Sequence, residues 1–230
     1  MPIVRYGEWG RALLLFPTAQ ADFLDNERFG LIDAIAPLIE AGRVSVFCVN
    51  TINNESWMDR GLAPAEKARR QALYAGYVEH EVVAHIRKAL GNDEARIGVS
   101  GASFGAYHAA NSFFRRPDQF DTLIAMSGFY ELWPSWLRGF SNDDVYYNNP
   151  MWYAPRIADL HQRHLIASSQ VHILTGQGAF EIPEESRRFS AALGAAGLPH
   201  HLDLWGHDVP HDWPSWRSML AHYLEHRVSW

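Results

Sequence analysis

The sequence predicts an α/β fold in which helices cover both faces of a mostly parallel sheet. Short apolar runs rich in β-branched residues recur along the chain, and most lack the polar alternation of a strand with one exposed face. Helix-like segments separate these runs, which is the order of parallel strands joined by crossover helices. The chain has 230 residues, enough for one such domain with a sizeable core, and we expect a single domain over residues 1–230.

Six strands and one long helix can be placed in chain order. The first two predicted strands are ALLLF (12–16) and VSVFCV (44–49). A helix is predicted from about Pro64 to Leu90, because Pro suits a first turn and apolar residues repeat every fourth position in its second half. Gly91 and Asn92 then form a typical C-terminal cap. The remaining predicted strands are RIGVS (96–100), TLIAMS (122–127), VHILT (171–175) and HLDLW (201–205).

Residues 128–169 break this alternation. The segment is crowded with aromatic residues, Pro and Asn, and shows no sustained helical or strand period. It predicts a loop-rich excursion with one or two short helices. Such an excursion is either a surface insertion that packs its own aromatic side chains or a lid or pocket wall, and long excursions often have a function.

Composition and charge favour small-molecule partners. Apolar residues make up 47% and charged residues 20% of the chain, as in ordinary soluble globular proteins. The formal net charge is −6, and Lys and Arg are scattered rather than clustered. This pattern gives no electrostatic footprint for nucleic acid or for an anionic membrane.

The single cysteine and the N-terminus predict a cytoplasmic protein. Cys48 cannot form an intramolecular disulfide, and its apolar surroundings are typical of a buried, inert thiol. The apolar stretch near the N-terminus is too short for a signal peptide or a membrane span, and no cleavage pattern follows it. We therefore expect no targeting segment.

The strongest motif is Gly101-Ala102-Ser103-Phe104-Gly105, which matches G-x-S-x-G between a predicted strand and a predicted helix. In this context the serine occupies a strained turn, the nucleophile elbow, and the small flanking residues let strand and helix approach each other. The turn also directs the backbone N–H of Phe104 towards a developing oxyanion. The context favours a nucleophilic Ser103 over a simple Gly-rich turn.

A nucleophilic serine needs a general base, which in the α/β-hydrolase order follows the last strand. The segment GHDVPHDWPSW after HLDLW contains His207 and His211. Their spacing would also suit two metal ligands on a helix, but Gly206 and Pro210 argue against a helix there. The residues alone leave both histidines as candidates for the base.

Four segments carry a family resemblance: GVSGASFGAYHAANSFFRRPDQFDTLIAMSG, FCVNTINNESWMD, DDVYYNNP and HDWPSW. Together they resemble the family of α/β-hydrolases called "putative esterase", which includes esterase D-like enzymes and, more distantly, mycolyltransferases and feruloyl esterases. The resemblance covers nearly the whole chain and implies the α/β-hydrolase fold. It selects His211 over His207 as the catalytic histidine, and it implies an orienting carboxylate after the penultimate strand.

The orienting carboxylate is where the sequence departs from the common pattern. No Asp follows VHILTG, and Glu181 is the first acidic residue after it. We therefore predict Glu181 as the orienting acid of a catalytic triad. Glu184 and Glu185 suit the first turn of the next helix better. The other competing carboxylates are Asp203, Asp208 and Asp212.

A second oxyanion donor is expected in the loop after ALLLF. Pro17 has no N–H, which leaves Thr18, Ala19 or Gln20. The resemblance favours Ala19, since related enzymes place the donor two or three residues past the strand. Trp57, in the loop segment NNESWMD, is either a substrate-pocket wall or packing beneath a loop.

Motif and resemblance together predict a serine esterase that acts on a small-molecule carboxylic ester. Ser103 would attack the carbonyl, His211 would move the proton and Glu181 would orient the ring, with no metal ion or organic cofactor. Acyl transfer to another alcohol and thioester hydrolysis use the same acyl-enzyme, and product analysis separates them. A non-catalytic ligand-binding module on this fold is the other alternative, supported by the missing Asp and opposed by Ser103 and His211.

Overall fold

The computed structural model describes residues 1–229 and is built on a seven-stranded sheet with the order β1-β3-β2-β4-β5-β6-β7. β1 pairs antiparallel with β3, and every other neighbouring pair is parallel. The predicted α/β class is therefore confirmed. The strands are β1 (Ile3–Tyr6), β2 (Arg11–Phe16), β3 (Val44–Val49), β4 (Ile97–Ala102), β5 (Phe120–Met126), β6 (Gln170–Thr175) and β7 (His201–Leu204).

All six predicted strands are present, and their bounds shift by at most two residues. β1 was missed. It has only four residues, and all of them are half-buried at the edge of the sheet. A short edge strand without a fully buried face gives neither an apolar run nor a clear alternation.

Twelve α-helices lie within residues 1–229, and none of them is both long enough and apolar enough to cross a membrane. The helices before the nucleophile motif are α1 (Asp25–Arg28), α2 (Leu31–Ala34), α3 (Ala36–Glu40), α4 (Pro64–Tyr77) and α5 (Val83–Leu90). The later helices are α6 (Phe104–Arg115), α7 (Pro134–Leu137), α8 (Asp143–Tyr146), α9 (Pro150–Tyr153), α10 (Leu160–Ala167), α11 (Pro183–Ala195) and α12 (Trp213–His226).

Two apolar cores lie on opposite faces of the sheet, which explains why the strands lack polar alternation. Leu14 and Phe47 belong to the core beneath α4, α5 and α6. Leu15 and Cys48 belong to the core beneath α2, α3 and α12. Burial raises the pKa of the Cys48 thiol to about 12, so the thiol stays protonated near neutral pH.

The long helix predicted over residues 64–90 is present but contains a π-helical segment, Val78–Val82, between α4 and α5. The wider turn changes the backbone hydrogen bonding, and the Glu79 carbonyl accepts a bond from Gln119 Nε2 at 3.0 Å. α5 ends at Gly91 in the left-handed conformation, with φ 63°. The predicted cap is therefore confirmed.

The excursion over residues 128–169 holds four short helices, α7 to α10, and a 3₁₀ turn at Ala154–Arg156. The prediction of one or two helices was too low, because local caps stabilise helices too short to show a period. The side chains of Asn142 and Asp159 accept N-terminal N–H groups of α8 and α10. Tyr107 on α6 donates to the Asn148 carbonyl at 2.7 Å and so fastens the excursion to the sheet layer.

Candidate active site

Ser103 lies in a strained turn between the end of β4 and the start of α6. Its φ of 56° and ψ of −118° fall where side chains other than glycine are rarely found. A Cβ atom on Gly101 would lie 2.5 Å from the Gly105 carbonyl carbon, and one on Gly105 would lie 2.7 Å from the Phe16 oxygen. The turn therefore requires both glycines of the motif, as predicted from the sequence.

The same turn places Ser103 at the positive end of a helix. α6 runs for 12 residues from Phe104, and the first N–H groups of a helix have no partner within it. Ser103 itself is half-buried, and its N–H donates to the Met126 carbonyl at 2.9 Å. The Phe104 N–H is thus next to the serine, in the first turn of the helix, where backbone N–H groups lack intrahelical partners.

Glu181 and His211 meet directly. His211 Nδ1 lies 3.2 Å from Glu181 Oε2, and the Glu181 side chain is only 1% exposed. Glu181 also accepts hydrogen bonds from Ser127 Oγ at 2.5 Å and from Thr175 Oγ1 at 3.1 Å. Burial raises the pKa of Glu181, but the bonds from His211, Ser127 and Thr175 outweigh it and leave the pKa below its ordinary value. Glu181 is therefore a carboxylate at neutral pH.

Two loops bring this pair together. A Cβ on Gly176 would lie 2.1 Å from the Val209 oxygen, so the backbone after β6 runs against the backbone after β7. Gly178 N–H donates to the Val209 oxygen, and His211 N–H donates to the Ala179 oxygen, both at 2.9 Å. These contacts fix where His211 stands relative to Glu181.

The structure connects Ser103 to this pair through β5 rather than directly. Met126, which accepts the Ser103 N–H, precedes Ser127, which bonds to Glu181. Within residues 1–229 the Ser103 hydroxyl and the His211 ring share no hydrogen bond. Catalytic hydrogen bonds are often long or poorly aligned before substrate binds, so the missing bond does not rule out a serine–histidine pair.

Two of the competing acids bond to other residues, and the others lie in the first turn of a helix or on the surface. Asp212 caps α12 by accepting bonds from the N–H and hydroxyl of Ser215. Asp203 accepts a bond from the Tyr223 hydroxyl at 3.0 Å. Glu184 and Glu185 lie in the first turn of α11, and His207 and Asp208 are exposed. None of these contacts orients His211.

Trp57 is buried beneath the loop that carries it. Its side chain is 0% exposed, and its indole N–H donates to the Tyr107 hydroxyl at 3.1 Å. The structure therefore matches the alternative of packing beneath a loop. Trp57, Tyr107 and Phe104 belong to one buried apolar cluster, and Ala19 packs against it.

Ser127 was missed by sequence reasoning. It follows β5 with a φ of 52°, donates to Glu181, and accepts the Trp216 indole N–H at 3.1 Å. The Trp216 ring in turn packs edge-on against the His211 ring, with centroids 4.9 Å apart. The available signal was a small polar residue at the carboxyl end of β5, which lies between β4, the strand before Ser103, and β6, the strand before Glu181.

One cavity lies away from the Glu181–His211 pair. It measures about 550 Å³ and is bordered by residues of α6 and of the excursion, including Arg115, Tyr147 and Arg156, but by none of Ser103, Glu181 and His211. Within residues 1–229 no group of three or more His, Cys, Asp and Glu side chains is placed to hold a metal ion.

The chain matches one family model and shares its fold with solved structures. The model of the family described as "Putative esterase" matches residues 28–226. A ferulic acid esterase superposes with a TM-score of 0.69 at 22% identity, covering 95% of this chain and 84% of that chain. The S-formylglutathione hydrolase of Staphylococcus aureus superposes with a TM-score of 0.65 at 16% identity, covering 95% of this chain and 81% of that chain. MPT51 of Mycobacterium tuberculosis superposes with a TM-score of 0.68 at 18% identity, covering 97% of this chain and 91% of that chain. These likenesses confirm the α/β-hydrolase fold, and no curated protein matches the chain.

Replacing Ser127 tests how the carboxylate is held. Ser127→Ala removes a charge-assisted bond to Glu181, and we expect it to cost about 1–3 kcal/mol of unfolding free energy at pH 7. Because the folded pKa of Glu181 is below its ordinary value of 4.5, this stabilisation is present above that pH and lost as the pH falls. Urea denaturation should therefore show a smaller cost at pH 3.

Ser100→Ala is the matched control for that measurement. Ser100 is also a buried serine, but its hydroxyl donates to the neutral Ile124 carbonyl at 2.7 Å. Its loss should cost the same at both pH values. Equal costs at pH 7 and pH 3 for Ser127→Ala would contradict a role in holding a charged Glu181.

Proposed function

Because this chain belongs to the Putative esterase family, we propose that it hydrolyses a small-molecule carboxylic ester through an acyl-enzyme on Ser103. The observation that carries the proposal is the hydrogen bond between His211 Nδ1 and the buried Glu181 carboxylate, at the sheet edge where Ser103 occupies its strained turn. A carboxylate that accepts Nδ1–H leaves Nε2 as the basic atom of the ring. That tautomer is the one a serine nucleophile needs.

In the first half-reaction Ser103 Oγ bonds to the ester carbonyl carbon while His211 Nε2 takes the hydroxyl proton. The carbonyl oxygen becomes an oxyanion, which the backbone N–H groups of Phe104 and Ala19 stabilise. As the tetrahedral intermediate collapses, the ester C–O bond breaks and the alcohol leaves with the proton from His211. Glu181 stabilises the transient imidazolium without taking up a proton itself.

In the second half-reaction water replaces the alcohol. The water oxygen attacks the acyl carbon while His211 takes a proton from the water. The proton passes to Ser103 when the ester bond to the enzyme breaks. The products are the free acid and the regenerated serine. An alcohol in place of water would give acyl transfer, and a thioester in place of the ester would give a thiol, so assays should identify the product as well as the rate.

Labelling with a fluorophosphonate is the first test. Ser103 should be the sole labelled residue by mass spectrometry, because its turn combines a nucleophile with adjacent oxyanion donors. Ser103→Ala should abolish turnover of p-nitrophenyl and naphthyl esters while its circular dichroism spectrum stays that of the wild type. Labelling at another serine, or undiminished turnover by the folded variant, would refute the assignment.

The two histidines provide a comparison within one loop. His211→Ala should lower kcat by a factor on the order of a thousand or more, because only binding and oxyanion stabilisation would remain. His207→Ala should change kcat little, since His207 is exposed. Steady-state kinetics of both variants on one ester measure the difference. A larger loss from His207→Ala would overturn the choice of base.

Glu181→Gln tests the orienting acid. The amide has nearly the same shape but lacks the charge, so binding should persist while kcat falls by roughly two to four orders of magnitude, with partial recovery at high pH. A pH profile of kcat and KM for the variant and the wild type gives the answer. Near-normal kcat would exclude Glu181 and leave a serine–histidine dyad or another acid such as Asp208.

A further inference from the structure

A buried polar network lies behind the loop that follows β2. Asn53 begins the 3₁₀ turn after β3 and is 1% exposed, and His108 on α6 is 2% exposed. Asn53 Nδ2 donates to the Ala19 carbonyl at 3.1 Å, and Asn53 Oδ1 lies 2.7 Å from His108 Nε2. Three segments that are distant in sequence are thus joined by one side-chain amide.

The chemistry of the three groups fixes every donor and acceptor in this network. The Ala19 carbonyl can only accept, so the Asn53 amide must present its NH₂ group there. The Asn53 oxygen then faces His108, which must donate from a protonated Nε2. Only one orientation of the amide and one tautomer of the ring satisfy both bonds.

His108 is suited to this fixed role because it stays neutral. Its ring stacks on Phe104 with centroids 5.4 Å apart and meets Tyr74 edge-on at 5.2 Å. Burial lowers the pKa of His108 to about 3. The ring is therefore a permanent hydrogen-bond donor at working pH, and it takes no part in the proton transfers assigned to His211.

The loop held by this network touches the nucleophile turn. The Phe16 and Pro17 oxygens lie so close to Gly105 that a Cβ there would approach them to 2.7 and 2.8 Å. One residue further, the Thr18 hydroxyl bonds to Asp25 at 3.2 Å, and the Ala19 carbonyl bonds to Asn53. Bonds on both sides of the Thr18–Ala19 peptide, which carries the Ala19 N–H, thus hold the loop that packs against the nucleophile turn.

We propose that Asn53 and His108 are positioning residues that hold the Ala19 backbone so that the Ala19 N–H acts as the second oxyanion donor. The proposal rests on the proposed function and goes beyond it, because it assigns a role to two buried side chains that neither touch the substrate nor exchange protons. An oxyanion donor acts only when its N–H already points at the developing charge. Asn53, supported by His108, holds the Ala19 carbonyl and with it the Ala19–Gln20 peptide, while the Thr18 bond to Asp25 restrains the chain before Ala19. The intervening Thr18–Ala19 peptide, which carries the Ala19 N–H, is therefore oriented before the substrate binds.

The test compares two buried asparagines. Asn53→Ala should lower kcat for a p-nitrophenyl ester about 10- to 100-fold, part of the loss seen when an oxyanion donor is deleted outright, with KM within about threefold. The rate of fluorophosphonate labelling of Ser103 should fall by a similar factor, because attack on phosphorus also develops charge on an oxygen. The control is Asn111→Ala, which removes bonds to Asn148 and Tyr153 from an equally buried site on α6. Asn111→Ala should keep kcat within about threefold of the wild-type value even if its Tm falls as far as that of Asn53→Ala.

His108 provides an independent readout that does not depend on the folding of Asn53→Ala. His108→Gln keeps an N–H donor near the Asn53 oxygen, whereas His108→Leu removes it. The Gln variant should therefore retain more kcat than the Leu variant at matched Tm. A purely structural role would move Tm in all these variants without separating kcat from KM.

The outcomes distinguish this proposal from the function beneath it. A wild-type chain that neither turns over esters nor labels at Ser103 overturns the proposed function, and the positioning role with it. An active wild type in which Asn53→Ala and Asn111→Ala lose kcat equally, or in which Asn53→Ala changes only KM, overturns the positioning role alone. A selective loss of kcat in Asn53→Ala, with better retention by His108→Gln than by His108→Leu, supports it.

Discussion

The buried Glu181 carboxylate is the constraint on which the carboxyl edge of the sheet depends. A carboxylate removed from water is strongly destabilising unless hydrogen bonds replace its hydration. Here the donors come from three segments: Ser127 after β5, Thr175 and Gly176 at the end of β6, and His211 in the loop after β7. None of these donors can move without leaving part of the charge unsatisfied. One buried charge therefore fixes the relative positions of three strand ends.

Backbone strain is concentrated at the same edge. Ser103, Ser127 and Phe180 adopt φ values of 56°, 52° and 63°, and each such conformation costs about 1–3 kcal/mol. The strain persists because the apolar cores on both faces of the sheet hold the strands from which these turns emerge. These are three of the four non-glycine residues with positive φ within residues 1–229, the fourth being Arg138 in the excursion, and each of the three belongs to or adjoins a proposed catalytic group or its hydrogen-bond partner. The rigid sheet thus stabilises conformations that a free loop would not keep.

Sequence patterns predicted what depends on local chemistry and missed what depends on contacts between distant segments. The two-sided burial of the sheet removes polar alternation, so six strands could be read, and the glycines of the Ser103 turn carry their own steric signal. Glu181 and His211 were placed by chain order and family resemblance. Ser127 has its role only because it contacts Glu181, 54 residues away, and Asn53 only because it contacts Ala19, 34 residues away. No local period in the sequence encodes such contacts. The exposure of Trp57 was undecidable for the same reason.

The presence of Glu rather than Asp as the proposed orienting acid is explained by the path of the loop after β6. The backbone there is set by Gly178 and Ala179, which bond to Val209 and His211, and Glu181 N–H lies 3.3 Å from the Gly178 oxygen. From this backbone an Asp side chain, which has one methylene fewer, would place its carboxylate about 1.5 Å short of the position of the Glu181 carboxylate. It could not keep both the 2.5 Å bond to Ser127 and the 3.2 Å contact with His211. The longer side chain spans that gap, so the missing Asp, which was the best support for a non-catalytic module on this fold, no longer argues for one.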